Sequence, residues 1–169
     1  MPYRALSILL LDDNGHMRSL LRAILKGLGV QRVFDATDAA EAFELLRTNQ
    51  IDIAFVDYRL GDLDGVEFAK LVRTAPDSPD PYLAMCMVTA YSERSRVYEA
   101  INSGIDEFLA KPIRAADVAM RIDAIIRRRR PFVKTASYFG PDRRRREDPN
   151  YRGKRRRASD KETAEKTGE

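Results

Sequence analysis

Four apolar runs in this chain end in side chains able to handle charge. Leu9-Leu10-Leu11 runs into Asp12-Asp13, and Ile53-Ala54-Phe55-Val56 runs into Asp57. The run through Val88 ends in Thr89, and Phe108-Leu109-Ala110 runs into Lys111-Pro112. Carboxylates gathered in one pocket repel one another unless a cation sits among them. A hard divalent ion, Mg2+ or in its place Mn2+, accepts such oxygens as ligands. A threonine hydroxyl and a lysine ammonium beside the acids would hold the oxygens of a phosphoryl group. The set therefore points to magnesium-assisted phosphoryl transfer onto a carboxylate.

The flanking pattern explains how such residues would meet. Strand-like and helix-like stretches alternate five times. Ser7 to Leu11 is nearly all apolar, as a strand covered on both faces should be. Met17, Leu20, Leu21, Ile24, Leu25 and Leu28 follow at helical spacing, with Gly29 as a stop. Arg32 to Ala36 reads as a second strand. Asp38 caps the next helix, and Glu41 completes a capping box. Ile51 to Val56, Tyr82 to Thr89 and Ile105 to Ala110 read as the third, fourth and fifth strands. Tyr58 to Gly65 reads as a turn-rich loop, with two glycines and two aspartates among its last five residues. Val66 to Val72, Ser92 to Gly104 and Arg114 to Ile126 supply the later helices. Repeated strand–helix units favour a parallel α/β sheet with helices on both faces. Ligands on such sheets bind beyond the carboxyl ends of the strands. Asp12, Asp13, Asp57, Thr89 and Lys111 all stand there.

In order and type, these residues resemble the set carried by the response-regulator receiver domain of two-component signalling, in its stand-alone chemotaxis-regulator form. The resemblance covers about residues 5 to 128. It implies a five-stranded, doubly wound, flavodoxin-like (βα)5 fold with strand order 2-1-3-4-5. It implies Asp57 as phosphoacceptor, Asp13 and Asp57 as direct metal ligands, and Asp12 acting mainly through water. The backbone carbonyl of Arg59 would be a further ligand. Lys111 would pair with Asp57, Thr89 would move toward the phosphoryl oxygens, and Phe108 would turn inward as the switch. The implied activity is magnesium-dependent self-phosphorylation from a phosphodonor, followed by autodephosphorylation. The implied partners are a histidine kinase or phosphotransfer protein and an unknown downstream protein. Pairing with a second copy through the fourth helix–fifth strand–fifth helix face is also implied. Arg59 and Tyr91 border the path of the attacking water and are expected to slow phosphoryl loss, while small Ala90 leaves access for a donor.

Other chemistries fit less well. A haloacid-dehalogenase phosphatase needs a second aspartate two residues after the first, where this chain has Asn14 and Gly15. No Gly-x-x-x-x-Gly-Lys-Ser/Thr loop is present for a nucleotide. His16, the one histidine, reads as a solvated helix-start residue. Cys86, the one cysteine, reads as a buried inert thiol, and Met85 and Met87 as sheet filling.

Charge divides the chain unequally. Residues 1 to 126 carry 14 Lys/Arg against 19 Asp/Glu, and residues 127 to 169 carry 16 against 7. The division suggests a receiver domain over residues 1–130 and a basic, largely disordered tail over 131–169. Arg127 to Arg130 suit the negative end of a helix dipole, and Pro131 is expected to end regular structure. Tyr138-Phe139-Gly140-Pro141 beside Arg143 to Arg146 offers a docking motif for a protein. Nucleic acid or an anionic membrane is a further candidate for the tail. With neither a secretion-like leader nor a membrane-length apolar run, the expected location is cytoplasmic. The rival reading from another class is a phosphorylation-insensitive scaffold whose basic tail does the binding.

Overall fold

The computed structural model describes residues 2–90 and 97–143. Five parallel strands form the central sheet: β1 (Ser7–Leu11), β2 (Arg32–Ala36), β3 (Ile53–Asp57), β4 (Ala84–Thr89) and β5 (Glu107–Ala110), in the order β2-β1-β3-β4-β5. Helices α1 (Gly15–Gly27), α2 (Ala39–Thr48), α3 (Gly65–Thr74), α4 (Val97–Asn102) and α5 (Ala115–Arg128) connect and follow them. This is the doubly wound order expected from the resemblance.

The strands read as continuous apolar runs because both faces are covered. Successive side chains point to opposite faces. Leu9, Leu11, Ala54, Val56, Met85 and Met87 pack toward Ala42 and Leu46 of α2 and Phe68, Ala69 and Val72 of α3. Ile8, Leu10, Ile53, Phe55, Cys86 and Val88 pack toward Leu21 and Leu25 of α1 and Val118 and Ile122 of α5. Each large apolar side chain so buried contributes about 1.5–3 kcal/mol. Cys86 is fully buried, and burial pushes its thiol well above the usual range, as an inert thiol requires.

Three strands begin later than their apolar runs. Ile51, Leu83 and Ile105 are buried but precede β3, β4 and β5. They belong to the core on the α2–α3 face, and the backbone around them bonds by turns, side chains and isolated links to a neighbouring strand. Leu83 N–H donates to Asp80 O at 3.1 Å, and Ser7 N–H to Asp52 Oδ2 at 2.8 Å. Burial therefore runs further along the chain than ladder pairing.

Helix starts follow local chemistry. Asp38 Oδ1 accepts from Glu41 N–H at 2.8 Å, as expected. The return half of that capping box is displaced by one residue, because the Glu41 carboxylate accepts from Thr37 N–H and Oγ1 instead. A complete box lies at α3, where Asp64 and Glu67 cap each other reciprocally.

The expectation that regular structure ends at Pro131 is corrected. Strands β6 (Phe132–Lys134) and β7 (Phe139–Pro141) form an antiparallel hairpin docked near the starts of β4 and β5. Phe132 packs against Tyr82 and Phe139 at centroid distances of 5.0 and 5.5 Å. Two guanidiniums, of Arg73 and Arg129, stand over its ring at 4.9 and 4.7 Å. Buried Asp106 accepts from Arg73 Nη2 at 3.1 Å, Arg129 Nε at 3.0 Å and Met85 N–H at 2.9 Å. Arg73 also reaches the carbonyls of Gly104 and Pro81. Burial lowers its guanidinium to about 10, with Asp106 opposing, so it stays cationic at neutral pH. Arg130 donates to the carbonyls of Asp142 and Asp106 at 2.8 and 2.7 Å. Arg129 and Arg130 thus anchor the hairpin, whereas Arg127 and Arg128 remain in the last turn of α5. A side chain at Gly140 would meet the Gly104 backbone at 2.9 Å, so the hairpin needs glycine for its close approach.

Candidate functional site

Register brings the chemical residues together. Leu11, Val56, Met87 and Phe108 occupy one cross-strand row. Asp12 and Asp57 are the next residues along β1 and β3, so they emerge side by side. Thr89 pairs with Ala110 at the ends of β4 and β5, and Lys111 follows immediately. The N–H of Lys111 donates to Thr89 O at 2.8 Å, which ties the β5 exit to the β4 exit.

The carboxylates of Asp12, Asp13 and Asp57 place one oxygen each within 4.8 Å of one another. Asp12 and Asp57 are 3% and 6% exposed, while Asp13 opens to solvent. Lys111 Nζ donates to Asp57 Oδ1 at 2.9 Å. One ammonium among three carboxylates leaves negative charge in excess, and oxygen-only ligands suit a hard divalent cation. The donor set therefore fits Mg2+. Burial raises the Asp12 carboxyl from 3.8 to about 6. The Asn14 N–H bonded to its Oδ1 at 2.8 Å opposes that rise, Asp57 adds to it, Lys111 opposes it and Asp13 adds.

Local sequence builds the surroundings. Asn14 was not singled out from sequence, although an Asx residue before a helical pattern is a cap signal. Its Oδ1 accepts from His16 and Met17 N–H, starting α1 directly behind the acids. His16 is exposed and lies outside the acid cluster, as its solvated reading requires. Gly65 was read only as the end of a loop. A side chain there would collide with the Asp57 carbonyl oxygen and lie 3.2 Å from Met87 Cε. The carbonyl of Tyr58 accepts from Gly65 N–H at 2.9 Å, which closes the loop after β3.

Thr89 is buried at 7% exposure, and Ala90 after it is half-buried. Phe108 is half-buried and packs against the α2–α3 face of the core. Arg59 is exposed two residues past Asp57. Tyr91 lies outside the described residues. Among the described residues, no helix is long and apolar enough to cross a membrane.

A five-stranded 2-1-3-4-5 sheet with acids, threonine and lysine at its carboxyl end defines the receiver class. The match is direct: residues 8–123 fit the model of the response regulator receiver domain, and the chain belongs to that family. It is 28% identical over 123 residues to chemotaxis protein CheY-3 of Vibrio cholerae, covering 73% of this chain and 93% of that protein. It is 28% identical over 131 residues to transcriptional regulatory protein YvrH of Bacillus subtilis, covering 78% of this chain and 53% of that one. A solved response regulator from Chloroflexus aurantiacus superposes with a TM-score of 0.66 at 28% identity, over 72% of this chain and 98% of that chain. Family membership implies phosphoryl acceptance in two-component signalling, from histidine kinases or phosphotransfer proteins.

Proposed function

We propose that this receiver domain accepts a phosphoryl group on Asp57 and switches the binding of a partner. The observation that carries the reading is the cluster of three carboxylates within 4.8 Å, with Lys111 2.9 Å from Asp57. An Asp57 oxygen attacks phosphorus, and the bond to the donor's imidazole nitrogen breaks. The imidazole leaves with the bonding electron pair. Bound Mg2+ supplies charge neutralisation for the acids and the phosphoryl oxygens. Asp13, Asp57 and the Arg59 carbonyl would hold it, with Asp12 acting through water. Lys111 shifts from the carboxylate to the acyl phosphate. Thr89 turns its hydroxyl toward the new oxygens, and Phe108 follows into the space vacated. The α4–β5–α5 face then changes its affinity for a downstream protein or a second copy. Arg59, with Tyr91, lengthens the life of the aspartyl phosphate.

On this reading the domain includes β6 and β7, whose buried Tyr138 and Pro141 are not free to dock, and the docking role suggested for the basic tail falls to its remaining residues. The test is incubation with acetyl phosphate and Mg2+, followed by intact mass. A gain of one phosphoryl group, abolished by Asp57→Ala and by EDTA, is expected. No adduct, or one that survives Asp57→Ala, would end the reading.

A further inference from the structure

The turn that carries the acids is braced from α1. Arg18 Nη1 donates to the backbone carbonyl of Asp12 at 2.6 Å. Its side chain is 18% exposed, and its buried Nε has no hydrogen-bond partner. The nearest counter-charge, Asp35 Oδ2 on β2, stands 3.9 Å from that Nε. Asp35 is in turn held by Arg22 Nη2 at 2.8 Å. A chain of contacts therefore runs from Arg22 through Asp35 and Arg18 to the Asp12 carbonyl.

The peptide linking Asp12 to Asp13 is planar. Holding its carbonyl fixes the opposite N–H and the Asp13 Cα, the point from which the Asp13 side chain starts. The Asp12 carboxylate is fixed separately, by Asn14 N–H at 2.8 Å. The two acids of the turn thus have two different restraints, and the one that places the Asp13 Cα comes from Arg18. A guanidinium spent on a neutral carbonyl, with Asp35 beside it, also leaves the acids' own charge for a cation. Arg18 steers without competing.

We propose that Arg18 is a positioning residue for the metal site, holding the Asp12–Asp13 peptide so that the Asp13 carboxylate faces the ion shared with Asp57. This rests on the metal-binding reading above. Outer groups that orient metal ligands typically change affinity by about 10- to 100-fold. A restraint acting through one peptide belongs at the low end.

The experiment is Mn2+ binding to the full chain, read as loss of the free-ion paramagnetic resonance signal, with Mg2+ as competitor. Arg18→Met keeps the apolar stem and removes the donor, and binding should weaken about tenfold. Arg18→Lys retains a donor and should recover most of the loss. Asp35→Asn touches only the half-exposed end of the brace and should weaken binding about two- to threefold. Thermal midpoints in EDTA separate affinity from folding, since a purely structural role would lower the midpoint and leave binding by the folded fraction unchanged. Native affinity in Arg18→Met, or equal losses in the Lys and Met variants, overturns the proposal. If Arg18→Met does not fold, unchanged affinity in Asp35→Asn overturns it. A native chain that takes up no ion overturns the metal-site reading itself.

Discussion

Protons and the metal should compete at Asp12, and the competition has a calculable size. The folded state holds this carboxyl at about 6 because it is buried, against 3.8 in the ordinary case. At pH 7 about nine-tenths of Asp12 is ionised, and at pH 5 about one-tenth. A cation that needs the ionised form should therefore bind about tenfold more weakly at pH 5 than at pH 7, and binding near pH 6 should release protons. This holds whether an Asp12 oxygen meets the ion directly or across a water. Without metal the same shift affects stability in the opposite sense. Between pH 3.8 and about 6 the folded state binds more protons at Asp12 than the unfolded state, so this contribution to stability falls as pH rises. Calorimetric Mg2+ titrations at pH 5 and pH 7, paired with melting curves in EDTA, read both effects. Asp12→Asn isolates the residue from the other acids. The reasoning fails if native affinity is equal at the two pH values. It fails equally if Asp12→Asn keeps the full pH slope.

Three further outcomes follow from the packing. Asp106→Ala strands the Arg73 guanidinium, 1% exposed at its side chain, and orphans the Met85 N–H. Its remaining carbonyl partners limit the loss to about 3–4 kcal/mol, read as a lower urea midpoint at unchanged slope, and a loss under about 1 kcal/mol would contradict it. Phe132→Ala removes the ring between Arg73 and Arg129, and about 2 kcal/mol is expected because the ring is half-buried, with earlier tryptic cleavage after Lys134 as a second readout. Gly65→Ala forces the loop after Asp57 to shift, so stability should drop by about 1–3 kcal/mol and phosphorylation by acetyl phosphate should slow. A native phosphorylation rate in that variant would sink the close-approach argument.

Sequence legibility tracked the range of the physics. β1 and β2 were readable to the residue, because both strands coincide with their local patterns. The starts of β3, β4 and β5 were not, because burial of Ile51, Leu83 and Ile105 is indistinguishable by pattern from strand pairing. The acids, Thr89 and Lys111 were legible as a site because each follows an apolar strand, and a parallel sheet sends every such end to one edge. The hairpin was not legible. Its strands are three residues each, too short to show a period, and they follow Pro131 and lie beside the basic runs that dominate the tail. It is held by Arg73, Tyr82, Gly104 and Asp106, from three separate segments that become one surface only when α3, β4 and β5 are assembled.

What the amino-acid pattern determined by itself is therefore a parallel sheet covered on both faces and the chemical character of its carboxyl edge, since apolar runs and helical spacing are properties of neighbours in the chain, while the strand order came from the family resemblance. Tertiary structure alone decided that Arg18 reaches the Asp12 carbonyl and that residues 132–141 fold back onto the domain. Those contacts depend on register and on charges compensated across the fold, and a buried guanidinium finds its carboxylate only after the segments between them have packed.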